Sequence, residues 1–385
     1  EMRHVTGVQT CALPISWTPN VTASFVISFR IAIYVWISPM SNLSTSEHIL
    51  TQVPASHIGA RLLKLIMMLL PWTIIAALLG AGLFIRPQPV GGTVAASALE
   101  RRDQFYGLAE LPGGVVLASG SYGKILSISR DGQIRRLSTP TRNTLQDIAV
   151  WDAEHAVAVG NDGVVLFSLD GGLHWNQAAD VPRSATANKL NRVRIGAGGL
   201  AIATGEMGAV LISRDFGRSW QRLRDEEDVA WNDVAILGSG QLVLVGEFGR
   251  VLLGNLETGE WRGVESPLSS SLMALTFRDA QHGMAVGLEG AVMETRDGGQ
   301  HWEVIDVGLR DHLFDVAWLQ EQGVWFVTGA LGRWASGDAK DWQSGTLDAQ
   351  NLSWHVRALP VADGIWLAGA DIGRWHGKVW SLLKP

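Results

Sequence analysis

The sequence predicts an all-β fold, a seven-bladed β-propeller, preceded by one N-terminal transmembrane helix. Three observations predict it. A glycine step returns at nearly constant spacing through the last three quarters of the chain, an uncharged run of 21 residues precedes it, and the composition is rich in Gly (44) and Trp (17). Many turns and many large rings are the composition of an all-β repeat protein. Hydrophobic residues make up 47% of the 385-residue chain and charged residues 18%, which is apolar for a soluble protein and suggests a membrane segment. The net charge of −6 offers no basic stripe for nucleic acid, so no nucleic-acid partner is expected. The lone Cys11 excludes a disulfide framework in the repeats.

Residues 1–39 read as a leader outside the fold. The first sixteen have neither helical nor strand period and resemble translated adaptor sequence, and Met40 is a plausible start. Residues 40–64 then form a cytoplasmic tail. Residues 65–85 (LIMMLLPWTIIAALLGAGLFI) form the span, with no charge over a length that matches a hydrocarbon core of about 30 Å. Arg61 and Lys64 precede the span, and no acidic residue lies between Glu47 and Glu100. The positive-inside rule therefore places the N-terminus in the cytoplasm and the repeats in the periplasm, anchored to the inner membrane by a single pass. A cleaved signal peptide is the competing reading. The run is longer than the usual apolar region of about 7–15 residues, and Ala96-Ser97-Ala98 lies well beyond Ile85. Residues 86–100 read as a linker, and 101–385 as the propeller.

Glycine steps begin at Gly120, Gly160, Gly205, Gly246, Gly287, Gly329 and Gly369, separated by 40, 45, 41, 41, 42 and 40 residues. That period is one four-stranded blade. Alternating runs such as DIAVW (147–151), DVAIL (233–237) and DVAWL (315–319) come first, a second apolar run leads into the glycines, and a third follows them. Period-two runs bounded by Gly and Asp are strands. The glycine pair suits a tight turn with positive φ. Two modes of ring closure are open: residues 378–383 pair with the first blade, or Thr93–Leu99 adds an outer strand.

After the third strand stands S/T-x-D-x-G-x-x-W, with Asp170 and Trp175, Asp215 and Trp220, and Asp297 and Trp302. The fourth repeat keeps only Trp261 of this set, and the remaining repeats are degenerate. The motif resembles the Asp box of bacterial neuraminidase-type repeats. A fold element is needed once per blade and an active site once per protein, so repetition argues for structure. The aspartate would bond turn amides and the indole would fill the gap between blades. A sialidase needs a Tyr nucleophile and an arginine cluster, and the family's F/Y-R-I-P signature is missing from the repeats. Histidines are scattered without metal-ligand spacing, and no P-loop is present, so neither a catalytic residue, a metal nor a cofactor is expected.

Lys124, Arg250, Arg333 and Arg374 each follow the second glycine of a step and are expected on one face of the disc. Glu206, Glu247, Glu289, Asp162 and Asp371 share those loops and give a mixed-charge rim. Arg192, Arg194 and Arg357 fall in first strands and are expected to line the central channel. Clustered charge of this kind steers partners.

The unit V-G-x-x-G-x-[VIL]-[LM]-x-[ST]-x-D-G-G-x-x-W, best kept at residues 158–175 and 285–302, closely resembles that of the photosystem II stability/assembly factor family. The resemblance covers about residues 101–385. It implies a non-catalytic seven-bladed propeller that assists assembly of a membrane protein complex, holding a membrane-protein subunit on an arginine-rich face. Lys124, Arg194, Arg250, Arg333 and Arg374 are the positions nearest to such a face, and Arg357 joins them from the channel. A plain signal anchor with no lipobox Cys before the repeats departs from the phototroph members. It is closer to the non-photosynthetic bacterial branch, some of whose members accompany inner-membrane exporters. A glycan-binding or sialidase-like glycoside hydrolase propeller is the alternative.

Overall fold

The computed structural model describes residues 57–84 and 97–385, except 339–340, 351, 378 and 385. The leader, the tail up to residue 56 and the linker at 86–96 lie outside the described residues. The chain divides into two units, residues 1–91 and 92–385.

The first unit holds one helix, α1 (His57–Phe84). Its stretch Arg61–Leu83 is 23 residues long and apolar enough to cross a membrane, where about 20 are needed. It is apolar all round, with Leu62, Met67, Trp72 and Leu78 exposed on different sides, as a lipid-facing helix requires. Pro71 lies inside α1. Two residues on, the Thr73 hydroxyl donates to Leu70 O at 2.8 Å.

The second unit consists of seven four-stranded sheets, each built from four consecutive strands in sequential order. The innermost strands are Phe105–Leu111, Leu145–Val150, Leu190–Ile195, Trp231–Ile236, Leu272–Phe277, Leu313–Leu319 and His355–Val361. Second strands such as Ala156–Gly160 are buried at every position, because both faces of the sheet pack on neighbouring blades. Fourth strands reach solvent, and Asn176–Gln177 is exposed throughout. Antiparallel order puts the turns between strands two and three, with the links between blades, on one face of the disc (face A). The turns between strands one and two, and between three and four, lie on the other (face B).

The two glycines of each step have different jobs. The first has extended backbone, and a Cβ there would meet the preceding inter-blade link, at 2.2 Å from Thr144 O for Gly160 and 2.0 Å from His312 O for Gly329. The second lies in the left-handed region, as at Gly163 (φ 60) after Asp162 (φ 55). That pair closes a primed hairpin turn, with Val164 N donating to Asn161 O at 3.2 Å. The seventh repeat departs from the expected register. Ile365 pairs with Trp375 and Ala368 with Ile372, so its turn is Ala370–Asp371 and Gly373 sits within a strand. Arg374 is therefore not equivalent to Arg250 or Arg333.

The Asp boxes form as a structural role requires. In blade five Asp297 Oδ1 accepts from Gln300 N and His301 N at 3.0 Å each, and the Thr295 hydroxyl accepts from Gly299 N at 3.0 Å. The Trp302 indole donates to Gly299 O at 3.0 Å and is buried against Val243, Val245 and Leu253 of blade four. Asp170 and Asp215 hold their turns in the same way. Trp175 is buried among blade-one residues and Trp220 among blade-two residues, while Trp261 is partly buried against blade three. Each indole fills the gap before its own blade.

Among the described residues the ring closes by packing, and residues 93–96 of the segment expected as an added outer strand lie outside the described residues. The last strand, Trp380–Leu382, pairs with its own blade, and residues 97–99 form no strand. Blades seven and one close by packing Trp366, Ala368 and Ile372 against Phe105, Val116 and Leu126, with Leu99 added from the incoming segment.

Replacing Trp302 by Ala is expected to destabilise the propeller by about 3–5 kcal/mol in urea unfolding. Val304→Ala, two residues on and 52% exposed, is expected to change it by less than about 0.5 kcal/mol. Equal effects would remove the indole as a structural plug.

Candidate functional site

The third residue of each innermost strand reaches the propeller axis. Around the ring these residues are Gly107, Asp147, Arg192, Asp233, Ala274, Asp315 and Arg357. Apart from Gly107 and Ala274 they are charged, and all five charged residues are buried. Each aspartate clasps the blade that follows it. Asp147 accepts from Val193 N at 3.0 Å, Asp233 from Leu275 N at 3.0 Å, and Asp315 from Ala358 N at 2.7 Å. Asp147 and Asp233 also take the amide of their own next residue at 2.8 Å.

Three arginines complete the cluster. Arg194 grips Asp233 with two parallel bonds, Nε at 2.9 Å and a terminal nitrogen at 2.6 Å, the strong bidentate arrangement. Arg192 crosses the axis to Asp315 at 3.1 Å and lies 3.5 Å from Asp233. Arg357 stands 2.5 Å from Asp147 and 3.5 Å from Asp315, though none of its guanidinium nitrogens is aligned for a hydrogen bond. Three negative and three positive groups thus neutralise one another. On the face B side the channel opens into a cavity of about 660 Å³ bordered by all seven blades, with Arg194 and Arg357 among its lining.

Arg194 and Arg357 are at the channel, where the sequence placed them, and most of their charge is spent on carboxylates. The four residues after the glycine steps do not form a ring. Lys124 is buried and paired with Asp103 and Glu100, so it ties the incoming segment to blade one and is no surface charge. Arg374 belongs to face B, stacked 5.6 Å from Trp366 and paired with Asp363. Only Arg250 and Arg333 lie on face A with exposed side chains, facing Glu227 at 2.6 Å and Asp311 at 3.3 Å. Sequence reasoning missed Asp147, Asp233 and Asp315 as site residues. The signal was present, because each opens an Asp-[Val/Ile]-Ala run that was read only for its alternation.

Among the described residues no group of three or more His, Cys, Asp or Glu could hold a metal ion. Burial pushes Asp147 and Asp315 up to about 6 against the pull of Arg192 and Arg194. Burial acts on Asp233 too, but Arg194 and Arg192 outweigh it and hold that carboxyl below the usual range. Unfolded carboxylates titrate near about 4. Between about pH 4 and 6 the native ring therefore binds more protons at Asp147 and Asp315 than the unfolded chain does. Their contribution is full below that window and lost as pH rises through it. Asp233 acts with the opposite sign, at lower pH. Taking the protein from about pH 7 to about pH 5 is expected to raise its stability relative to the Asp147→Asn/Asp315→Asn variant, by on the order of 1–2 kcal/mol. Urea midpoints at both pH values check this, and a pH-independent difference would contradict it.

Comparison with known proteins follows the same architecture. Residues 127–252 and 253–314 match the family model described as photosynthesis system II assembly factor YCF48. The chain is 40% identical over 48 residues to photosystem II assembly protein Ycf48 of Thermosynechococcus vestitus, covering 12% of this chain and 14% of that protein. It is 39% identical over 72 residues to the chloroplastic photosystem II stability/assembly factor HCF136 of Cyanidioschyzon merolae, covering 18% and 15%. The matched stretches thus span about one seventh of these curated relatives. A solved structure described as YCF48 bound to D1 peptide superimposes with a TM-score of 0.58 at 17% identity, over 70% of this chain and 91% of that one. YCF48 from Cyanidioschyzon merolae gives 0.60 at 16% identity, over 71% and 95%. At such identity the two structures speak for the fold alone, and it is the repeat over residues 127–314 that is similar to the photosystem II stability/assembly factor family.

Proposed function

We propose that this protein is a non-catalytic scaffold that assists the assembly or stability of a membrane protein complex. In this reading α1 is a single-pass anchor in the inner membrane, the propeller stands in the periplasm, and a subunit of the complex binds one face of the disc. The observation that carries it is the axial cluster. Glycoside cleavage needs a pair of available carboxyl groups or a Tyr nucleophile, whereas Asp147, Asp233 and Asp315 are each bonded to backbone amides and faced by arginine. What such a ring offers a partner is surface. One curated relative is a photosystem II assembly protein and one solved relative is described as bound to a D1 peptide, which supports a membrane-protein subunit as the class of partner. The anchor without a lipobox Cys fits an exporter or another inner-membrane complex equally well.

Arg250 and Arg333 are the face A cations offered to that partner. Exposed ion pairs are worth roughly 0–1 kcal/mol, so their present partners compete weakly. Reversing both charges (Arg250→Glu with Arg333→Glu) is expected to reduce cross-linked recovery of a membrane-protein partner severalfold from detergent-solubilised membranes. The urea midpoint should stay within about 0.5 kcal/mol of the parent. Unchanged recovery would remove these residues from the interface. Turnover of a fluorogenic glycoside, abolished by one Asp or Glu substitution, would overturn the scaffold reading itself.

A further inference from the structure

The seven sheets follow one another along the chain, so the chain itself crosses six of the seven seams between blades. The seam between blades seven and one has no such link, and it lacks the two devices that close the others. The first device is the tryptophan plug. Blades two to seven each send an indole into the gap before them: Trp175, Trp220, Trp261, Trp302, Trp342 and Trp380. Blade one has Ile134 at the start of its fourth strand, opposite Ile128. Blades four and six face their indoles with Gly254 and Gly337 instead, and a Cβ on Gly254 would meet the Trp261 ring at 2.3 Å. The second device is a hydrogen bond between innermost strands. Asp147, Asp233 and Asp315 tie blade two to three, four to five and six to seven. Arg194 ties three to four through Asp233 at 2.9 Å, and the Thr276 hydroxyl donates to Val316 O at 2.8 Å between five and six. Among the described residues no such bond joins the innermost strand of blade one to that of either neighbour. Its axial residue is Gly107, where a Cβ would meet Ser119 Oγ at 2.5 Å and Asp147 Cα at 2.7 Å, so no axial carboxylate fits.

What this seam has instead is the entering segment. Leu99 is buried in the cluster that packs Phe105, Val116 and Leu126 of blade one on Trp366, Ala368 and Ile372 of blade seven. Asp103 accepts from Glu100 N at 2.8 Å, and its buried carboxylate pairs with the buried Lys124 ammonium, which also lies 3.4 Å from Glu100. Ser121 then holds Gln104 from both sides, donating to its O at 2.9 Å and accepting from its N at 3.2 Å. We propose that the seam between blades seven and one is where the ring opens, and that Leu99–Asp103 is the strap that latches it. Blade one swings on residues 138–144, its link to blade two, while the other seams stay shut. Lifting the strap uncovers Leu99 and separates Lys124 from Asp103, and separating a buried pair is far costlier than breaking an exposed one. The strap is the first part of the propeller that the entering chain forms, so a pull on that chain, or a partner that lifts it, is converted into opening of one seam. Opening of a part at less than the free energy of global unfolding is a general property of folded chains. The device belongs to the propeller and is independent of the scaffold reading and of Arg250 and Arg333.

Amide hydrogen exchange of the full chain in uncharged detergent, read by mass spectrometry and corrected for intrinsic rates, tests this. The second strands Val115–Gly120 of blade one and Gln241–Gly246 of blade four have the same burial pattern, so burial alone predicts equal protection. Residues 115–120 are expected to exchange about tenfold faster or more, with a weaker urea dependence than 241–246, as a local opening requires. In the strap variant Leu99→Ala/Asp103→Asn, exchange at 115–120 should rise by a further factor of about ten, while 241–246 changes less than about twofold. Arg101→Ala with Arg102→Ala, exposed positions on the same segment, should leave both strands as they are. Equal exchange of the two strands in the parent protein would overturn the proposal, and this comparison holds even where the strap variant does not fold. A rise in the strap variant that is equal in both strands, or absent from both, would overturn it as well.

Discussion

The carboxylate of each axial aspartate does two things at once, and the ring depends on both. One oxygen binds the amide of the next blade's innermost strand, and the whole group faces an arginine that arrives from a third blade. A seven-bladed ring brings seven strand starts close to one axis, and no apolar side chain can satisfy the strand amides exposed there. Leaving buried amides unpaired would cost about 1–3 kcal/mol each. Aspartate supplies acceptors, and three arginines remove the charge that aspartate introduces. The cluster is thus a polar hub at the point where packing alone would fail.

Outward from the hub the chemistry becomes apolar. Second strands are sealed on both faces, and the gaps before blades two, three and five are finished at the rim by an Asp-box indole. Before blades four, six and seven a tryptophan of the fourth strand, Trp261, Trp342 or Trp380, packs into the gap instead. A closed ring with a self-neutralised centre presents two broad faces.

The architecture was legible because a blade is a local object. Its four strands are consecutive, so period, turn chemistry and alternation report it directly, and the Asp-box tryptophans repeat at a fixed distance from the glycines. The hub was not legible, because Asp147, Asp233 and Asp315 meet Arg192, Arg194 and Arg357 only after the ring has closed. Arg192 and Asp315 are 123 residues apart in the chain. Counting from a glycine also failed where the seventh turn is shorter, which carried Arg374 to the wrong face. Lys124 shares its sequence position with Arg250, yet burial beside Asp103 gives it a different role. Spacing predicts which loop a residue belongs to. It does not predict whether a neighbouring segment folds over that residue.

The central claim is that charge pairing across the axis holds the blades in register. A double-mutant cycle on Arg192 and Asp315, using Arg192→Met and Asp315→Leu with urea unfolding of the propeller signal, tests it most directly. Each single change removes a buried charge's nearest partner, leaving Asp315 with Arg357 or Arg192 with Asp233 at 3.5 Å, and is predicted to cost about 3 kcal/mol. The double variant is predicted to cost less than the sum by about 1–3 kcal/mol. Additivity within about 0.5 kcal/mol would contradict the account, because the two residues would then be independent core positions and the ring would owe its register to apolar packing alone.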